Sequence, residues 1–403
     1  MTKLGREAED AIGTVTRVAA MLRPAWVEVD LAAVTSNVAY IARVVAPARV
    51  CAVVKADGYG HGAVPVARAA VAGGAVYLAV AAAEEGHELR RAGIGTPILI
   101  LSEPSSAAMP LVVADGLTPT LYTETGLAAL IAATTGPPAG GAGSSRHRVP
   151  VPVHLKFDSG MHRVGADRET VLRIAQAVMA APALHLEGLF THLAVADEPD
   201  DPFTAKQVAA FEDVVTALAD HGIEVPMRHA ANSAGALWHP RARLGMVRPG
   251  IAIYGLPPAT RLRAHPAVLS LRPALALKAR VSFVKEVPAG EGVSYGLRYH
   301  LSDRSIVATV PVGYGDGVPR RLSDVGGQVL IGARRRPIAG TVTMDQLMVD
   351  CGPGADVRPG DEVVLLGRQG EDEVSAWEWA DRLGTIAYEV TCGLSPRLPR
   401  NYV

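Results

Sequence analysis

A chain of 403 residues has room for about two domains. Its 49% hydrophobic content permits a large core, while 41 glycines and 29 prolines argue for many short connections and against a helical bundle. Lys plus Arg 39 against Asp plus Glu 40 leaves a formal net charge of -1, which excludes any bulk field favouring nucleic acid or an anionic membrane.

Residues 1–24 read as an N-terminal extension. Charges of both signs (Lys3, Arg6, Glu7, Glu9, Asp10) leave no apolar core of signal-peptide length, and Pro24 closes the stretch. Trp26-Val27-Glu28-Val29-Asp30 alternates like a strand, with Asp30 placed to cap a helix over Leu31–Val45. Apolar runs then recur at 50–54, 75–80, 97–101, 117–122, 151–157, 185–191, 227–230 and 246–254. Alanine-rich segments of helical length, such as 64–72, 168–180 and 204–220, lie between most of them. Eight strands with intervening helices predict a (β/α)8, TIM-like barrel over residues 25–260. Residues 136–145, rich in Gly, Pro and Ser, predict a mobile loop away from a barrel's chemistry.

After Pro257-Pro258 the texture changes. Strands expected over 275–284, 306–312, 328–331 and 362–366 follow one another, with one clear helix at 375–383, which predicts a mainly β domain over 261–403. Cys51, Cys351 and Cys392 are odd in number and widely spaced, so neither a disulfide framework nor a zinc site is expected, and a reducing cytoplasm is the simplest setting. No apolar span of about 20 residues suggests a membrane segment.

In a barrel, reactive groups gather at the C-terminal ends of different strands. Lys55 ends the run 50–54, Lys156 ends the fifth run with Arg163 just beyond, and His192 ends the sixth. His229, Asn232 and Ser233 follow the seventh, and Arg248 sits in the eighth. Desolvation at a strand mouth disfavours an ammonium and readies the neutral amine to attack a carbonyl. The turn Gly58-Tyr59-Gly60-His61-Gly62 beside it offers flexible backbone and a phenol to an anionic group. Carbonyl capture next to anion binding suggests pyridoxal 5'-phosphate. A lysine snorkelling at a strand end beside a structural turn fits the same residues.

The string Ala52-Val53-Val54-Lys55-Ala56-Asp57-Gly58-Tyr59-Gly60-His61-Gly62 closely resembles the lysine signature of the alanine racemases, pyridoxal-phosphate enzymes of the type III fold. His154-Leu155-Lys156-Phe157-Asp158-Ser159-Gly160-Met161-His162-Arg163-Val164-Gly165 resembles their second signature. That resemblance implies that Arg163 reaches the cofactor's phenolic oxygen and the substrate carboxylate, and that Lys156, carbamylated in many members, orients it. A salt-bridged, unmodified Lys156 fits the same position. Gly188-Leu189-Phe190-Thr191-His192, His229-Ala230-Ala231-Asn232-Ser233-Ala234-Gly235 and Met246-Val247-Arg248-Pro249-Gly250-Ile251-Ala252-Ile253-Tyr254-Gly255 are similar to further family motifs. They imply that Arg248 faces the pyridine nitrogen, that His229 holds Arg248, and that His192 connects it to the second base. An arginine cannot accept a proton, so the ring nitrogen stays neutral and reprotonation is favoured over elimination or transamination.

The resemblance gives phosphate binding to Tyr59, Ser233, the amides of Gly250 and Ile251, and Tyr388, and adds Asn232 to the cofactor contacts. Tyr388 lies in Ala387-Tyr388-Glu389-Val390-Thr391-Cys392, which is similar to the family's C-terminal signature. Tyr295, in Gly292-Val293-Ser294-Tyr295-Gly296, matches the second catalytic base. Inversion needs proton carriers on opposite faces of the Cα, and a phenol that ordinarily ionises near pH ~10 needs cations to help it. The family's tyrosine comes from the partner subunit with Met344 and Asp345 beside it, which implies a homodimer with shared sites. Tyr314, and Arg320 with Asp197, match positions along the access channel. Thr341 and Thr343 depart from relatives that carry arginine and cysteine there.

Over Trp26 to Tyr402 the resemblance implies interconversion of L- and D-alanine by two bases, supplying D-alanine for peptidoglycan in the cytoplasm. A small amino acid and a second copy of the chain are the expected partners, with no nucleic acid, membrane or metal. A serine or broad-specificity racemase is the near alternative. A decarboxylase of the same fold is disfavoured by Arg248, and a non-catalytic cofactor carrier would need only the barrel.

Overall fold

The computed structural model describes residues 23–135 and 149–403. The expected loop at 136–145 and nearly all of the N-terminal extension lie outside the described residues. Two compact units divide the chain: Leu31–Arg272 is one, and the residues up to Asp30 with Pro273–Val403 form the other.

Setting aside β1 (Ala25–Val29), the next eight strands build a barrel: β2 (Arg49–Val53), β3 (Tyr77–Val80), β4 (Ile98–Ile100), β5 (Thr120–Leu121), β6 (Val151–Lys156), β7 (Leu184–Phe190), β8 (Met227–His229) and β9 (Met246–Val247). Strands buried on both faces by surrounding helices read as near-continuous apolar runs, which is why they were legible. They pair in parallel as β4-β3-β2-β9 and β5-β6-β7-β8. The Leu99–Thr118 bridge joins the two sets on one side. On the other, the Gly245 and Arg248 amides donate to Arg228 O at 3.0 Å and Ala231 O at 2.9 Å, closing the ring.

The helix Arg168–Ala180 shows why the outer layer forms. Asp167 caps it by accepting from the Thr170 amide at 2.8 Å, and Val171, Ile174, Ala175 and Val178 repeat at helical spacing. That stripe packs with Val153 and Leu155 of β6 and Leu186 and Leu189 of β7 in one apolar cluster.

Three expectations about the barrel need correction. First, the barrel does not begin at residue 25. β1 pairs antiparallel with β10 (Leu275–Arg280) and parallel with β20 (Arg400–Tyr402), so it belongs to the other unit. Second, the division falls at 272/273 and not near 260. The Asn37 side chain donates to Ile253 O at 3.1 Å and Arg272 O at 2.8 Å and accepts from the Arg272 amide at 2.8 Å, which ties the intervening segment to the barrel. Third, the run 246–254 yields only the two residues of β9 before a 3₁₀ turn at Ile251–Tyr254. Pro249 has no N–H with which to extend the ladder.

The second unit is mainly β. Its seven-stranded sheet runs β16 (Arg334–Pro337), β15 (Gln328–Ile331), β18 (Glu362–Gln369), β10, β1, β20, with β19 (Asp372–Val374) paired to β18. A three-stranded sheet holds β11 (Phe283–Val287), β14 (Ser305–Val310) and β17 (Leu347–Asp350), and β12 (Gly292–Val293) pairs with β13 (Tyr299–His300). The single strand expected at 275–284 is therefore two strands in different sheets. A helix at Ala387–Cys392 joins the expected one, observed at Ala376–Leu383. Among the described residues no helix is long and apolar enough to cross a membrane.

Candidate active site

Lys55 is half-buried, two residues beyond the end of β2, and opens a backbone turn of unusual hand. Ala56, Asp57, Gly58 and Tyr59 all have positive φ, at 52°, 50°, 59° and 53°. Each non-glycine residue there costs about 1–2 kcal/mol, so the turn must be held by its surroundings. The Ala56 amide donates to Glu85 Oε1 at 2.7 Å, the Asp57 carboxylate accepts from the Ala63 amide at 2.8 Å, and the Gly62 amide donates to Asp57 O at 2.8 Å. Glu85 Oε2 also accepts from the Ala81 amide at 2.7 Å, so one carboxylate braces the lysine turn from the first turn of the helix Ala83–Arg91. Neither the left-handed turn nor Glu85 was singled out in the sequence.

Arg248 is buried, and every hydrogen bond it donates goes to a neutral acceptor. Its terminal nitrogens reach His229 Nδ1 at 2.7 Å, Thr191 O at 2.7 Å, Ala230 O at 3.1 Å and His192 Nδ1 at 3.2 Å. None of these bonds uses Nε. Burial lowers the guanidinium to about 10. Phe190 stacks on His229 with centroids 4.8 Å apart, and its ring lies 4.9 Å from the Arg248 guanidinium and 5.4 Å from Lys156 Nζ. Lys156 is likewise buried, and burial, then Arg248 and Arg163, bring its ammonium down to about 8. Burial, followed by the charge of Arg248, holds both His192 and His229 well below the ordinary imidazole range. Five sequence-derived positions, Lys156, Arg163, His192, His229 and Arg248, thus share one electropositive cluster, which Lys55 also influences.

A second group lies beside it. Tyr59 packs on Tyr254 with ring centroids 5.0 Å apart, and the Tyr254 hydroxyl donates to Val53 O at 3.0 Å. A Cβ at residue 250 would collide with the Tyr59 hydroxyl, so only glycine leaves that phenol its place. Ser233 Oγ accepts from the Gly250 amide at 2.9 Å and the Ala252 amide at 3.3 Å, which brings hydroxyl and amides to one spot. Asn232, expected among the cofactor contacts, caps the short helix Ser233–Trp238 by accepting from the Gly235 amide at 2.9 Å. Two hydroxyls, clustered amides, a glycine cradle, a strand-end lysine and surplus cations suit an anionic aldehyde, so the residues present fit pyridoxal 5'-phosphate.

Tyr295, Tyr314, Met344, Asp345 and Tyr388 belong to the other unit. Tyr295 is 73% exposed and Met344 52% exposed, both large side chains that solvent alone does not explain. The Thr341 hydroxyl donates to Tyr295 O at 3.0 Å, and the Tyr314 and Gly315 amides donate to Thr343 O and Met344 O, each at 2.9 Å. Residues 341–344 therefore carry both tyrosine turns on one ledge. Arg397 donates to Asp345 at 2.7 Å, and Tyr388 lies half-buried in the helix Ala387–Cys392.

Family models described as "Alanine racemase, N-terminal domain" and "Alanine racemase, C-terminal domain" match residues 29–258 and 274–402. An alanine racemase of Symbiobacterium thermophilum is 47% identical over 381 residues, covering 94% of this chain and 97% of the relative. The structure of alanine racemase from Streptomyces coelicolor A3(2) superposes with a TM-score of 0.87 at 37% identity, over 95% of this chain and 99% of that one. That from Bacillus anthracis, solved with bound L-Ala-P, gives 0.85 at 38% identity, over 94% and 95%.

Proposed function

We propose, from the premise that this chain belongs to the alanine racemase family, that Lys55 and Tyr295 are its two proton carriers and that each active site is shared between two copies. The reaction is the interconversion of L- and D-alanine, and it depends on pyridoxal 5'-phosphate. When bound, that cofactor would supply a carbonyl for the substrate's amino group and electron withdrawal at its Cα–H bond. Lys55 Nζ would hold it in the barrel mouth. Tyr59, Ser233, the amides of Gly250 and Ile251, and Tyr388 would hold its phosphate. Arg163 would take the substrate carboxylate, with Met344 and Asp345 beside it and Tyr314 along the access channel.

The observation that carries this reading is the surround of Arg248. A buried cation whose bonds all go to neutral acceptors, with Nε outside them, can only donate toward a ring nitrogen and never protonates it. That contact from Arg248 would keep electron withdrawal moderate, so that return of a proton to Cα would be favoured over loss of carboxylate or amine. Lys55 Nζ on one face and Tyr295 Oη on the other supply the two proton positions that inversion needs. The exposed Tyr295, Leu297, Tyr314 and Met344 support a partner subunit covering that ledge, so the working form is a homodimer. Three free cysteines, two of them buried, agree with a reducing cytoplasm, where the D-alanine would enter peptidoglycan synthesis. The direct test is to incubate the purified protein, cofactor and L-alanine in D2O. The expected product is D-alanine carrying deuterium at Cα with its amino group retained; release of CO2 or of ammonia as the main outcome contradicts the reading.

Lys156 follows the same logic. With its ammonium lowered to about 8 by burial and then by Arg248 and Arg163, far more of the amine is neutral near neutral pH than for an ordinary lysine, and that fraction is open to CO2. The carbamate would replace a repelling cation with an anion paired to Arg163. At fixed dissolved CO2, occupancy should therefore rise as pH climbs through about 8. Native mass spectrometry after ¹³CO2 equilibration is expected to show one added CO2 per chain, lost in Lys156→Ala. A wild-type chain without that addition overturns the assignment.

A further inference from the structure

Behind Arg248 and His229 runs a line of side chains, His154, Glu187 and Tyr77, that the racemase reading does not use. His229 Nε2 and His154 Nδ1 lie 2.8 Å apart, His154 Nε2 lies 3.1 Å from Glu187 Oε2, and the Tyr77 hydroxyl donates to that oxygen at 2.5 Å. Both imidazoles are fully buried. The polarity of the line is set from its ends. An arginine only donates and a carboxylate only accepts, so each neutral imidazole between them accepts at Nδ1 and donates from Nε2.

The strands are shaped to build this line. The β6–β7 register pairs Val153 with Leu186 and His154 with Gly188, so Glu187 is the extra residue of a β-bulge. Bulges re-aim side chains next to functional sites. Gly188, opposite His154, is equally constrained, because a Cβ there would lie 2.6 Å from His154 Nδ1 and Cε1. Burial, then Arg248, keeps His229 neutral, and burial keeps His154 neutral against the pull of Glu187. Burial alone would raise the Glu187 carboxyl, but the bonds from His154 and Tyr77 outweigh it and keep it ionised.

We propose that Glu187 is a positioning residue for Arg248. Acting through His154 and His229, it fixes a single hydrogen-bond direction along four side chains and supplies the counter-charge that keeps the buried guanidinium cationic and aimed. The inference deepens the racemase reading and rests on it for the role of Arg248.

The test uses ¹⁵N-histidine labelling of the cofactor-free chain together with kinetics of the loaded enzyme. In the wild type both His154 and His229 are expected as neutral Nε2–H tautomers. Glu187→Gln keeps the shape and the acceptor and removes the charge; it should lower kcat for L-alanine by roughly 10- to 100-fold, as loss of partners that orient a site histidine does elsewhere. Its KM and cofactor content should stay within about twofold, and the His154 Nε2–H resonance should shift upfield as its bond weakens. Tyr77→Phe, which removes one bond and leaves the charge, should fall between the two. Nδ1–H tautomers or an imidazolium in the wild type overturn the proposal even where the variant does not fold, as does a folded Glu187→Gln with wild-type kcat. Failure of the racemase reading is distinct, because the wild type itself would then not form D-alanine.

Discussion

Lys55→Ala is expected to lower racemisation in both directions by more than about 10⁴-fold, because in the proposed scheme one substitution removes both the covalent anchor and a proton carrier. The left-handed turn makes the position unforgiving. Ala56, Asp57 and Tyr59 are held at φ 50–53° by Glu85 and by backbone bonds, so no neighbouring side chain swings easily into the vacated place. Borohydride reduction of the wild type with cofactor, followed by peptide mapping, should label the peptide containing Lys55. Labelling elsewhere would undo the assignment, and labelled Lys55 without D-alanine formation would favour a carrier.

Tyr295→Phe should leave cofactor binding intact and reduce racemisation by about 10²–10⁴-fold, the range for removing one acid–base group. Its distinctive sign is isotopic. With Lys55 still in place, one enantiomer of alanine should go on exchanging its Cα hydrogen with D2O while inversion is lost. Normal racemisation by Tyr295→Phe would make the two-face scheme wrong. Because Tyr295 sits on an exposed turn braced by the Thr341 hydroxyl, the loss of one oxygen is not expected to disturb the fold.

What the sequence conveyed, and what it did not, follows from the range of the interactions involved. Barrel strands were readable because most are short apolar runs followed by a helix, and the ends of those runs pointed to Lys55, Lys156, His192, His229 and Arg248. Membership of β1 was not readable. Alternation at residues 25–29 reports a half-buried strand, but its partners β10 and β20 lie some 250 and 370 residues away. The bulge at Glu187 and the positive φ of Ala56, Asp57 and Tyr59 are equally silent, since ordinary residues adopt both under tertiary constraint. In the sequence His154 is one strand residue within a family string. Only the short distance to His229 reveals its part.

The central claim is that proton carriers from two polypeptides complete one site, and mixed dimers test it most directly. Lys55→Ala and Tyr295→Phe chains, each inactive alone, should be unfolded and refolded together and assayed for D-alanine formation. If Lys55 of one chain works with Tyr295 of its partner, half the dimers are hybrids and each hybrid keeps one intact site, so about one quarter of wild-type activity should return. Mixed dimers that form and remain as inactive as either parent would contradict the account.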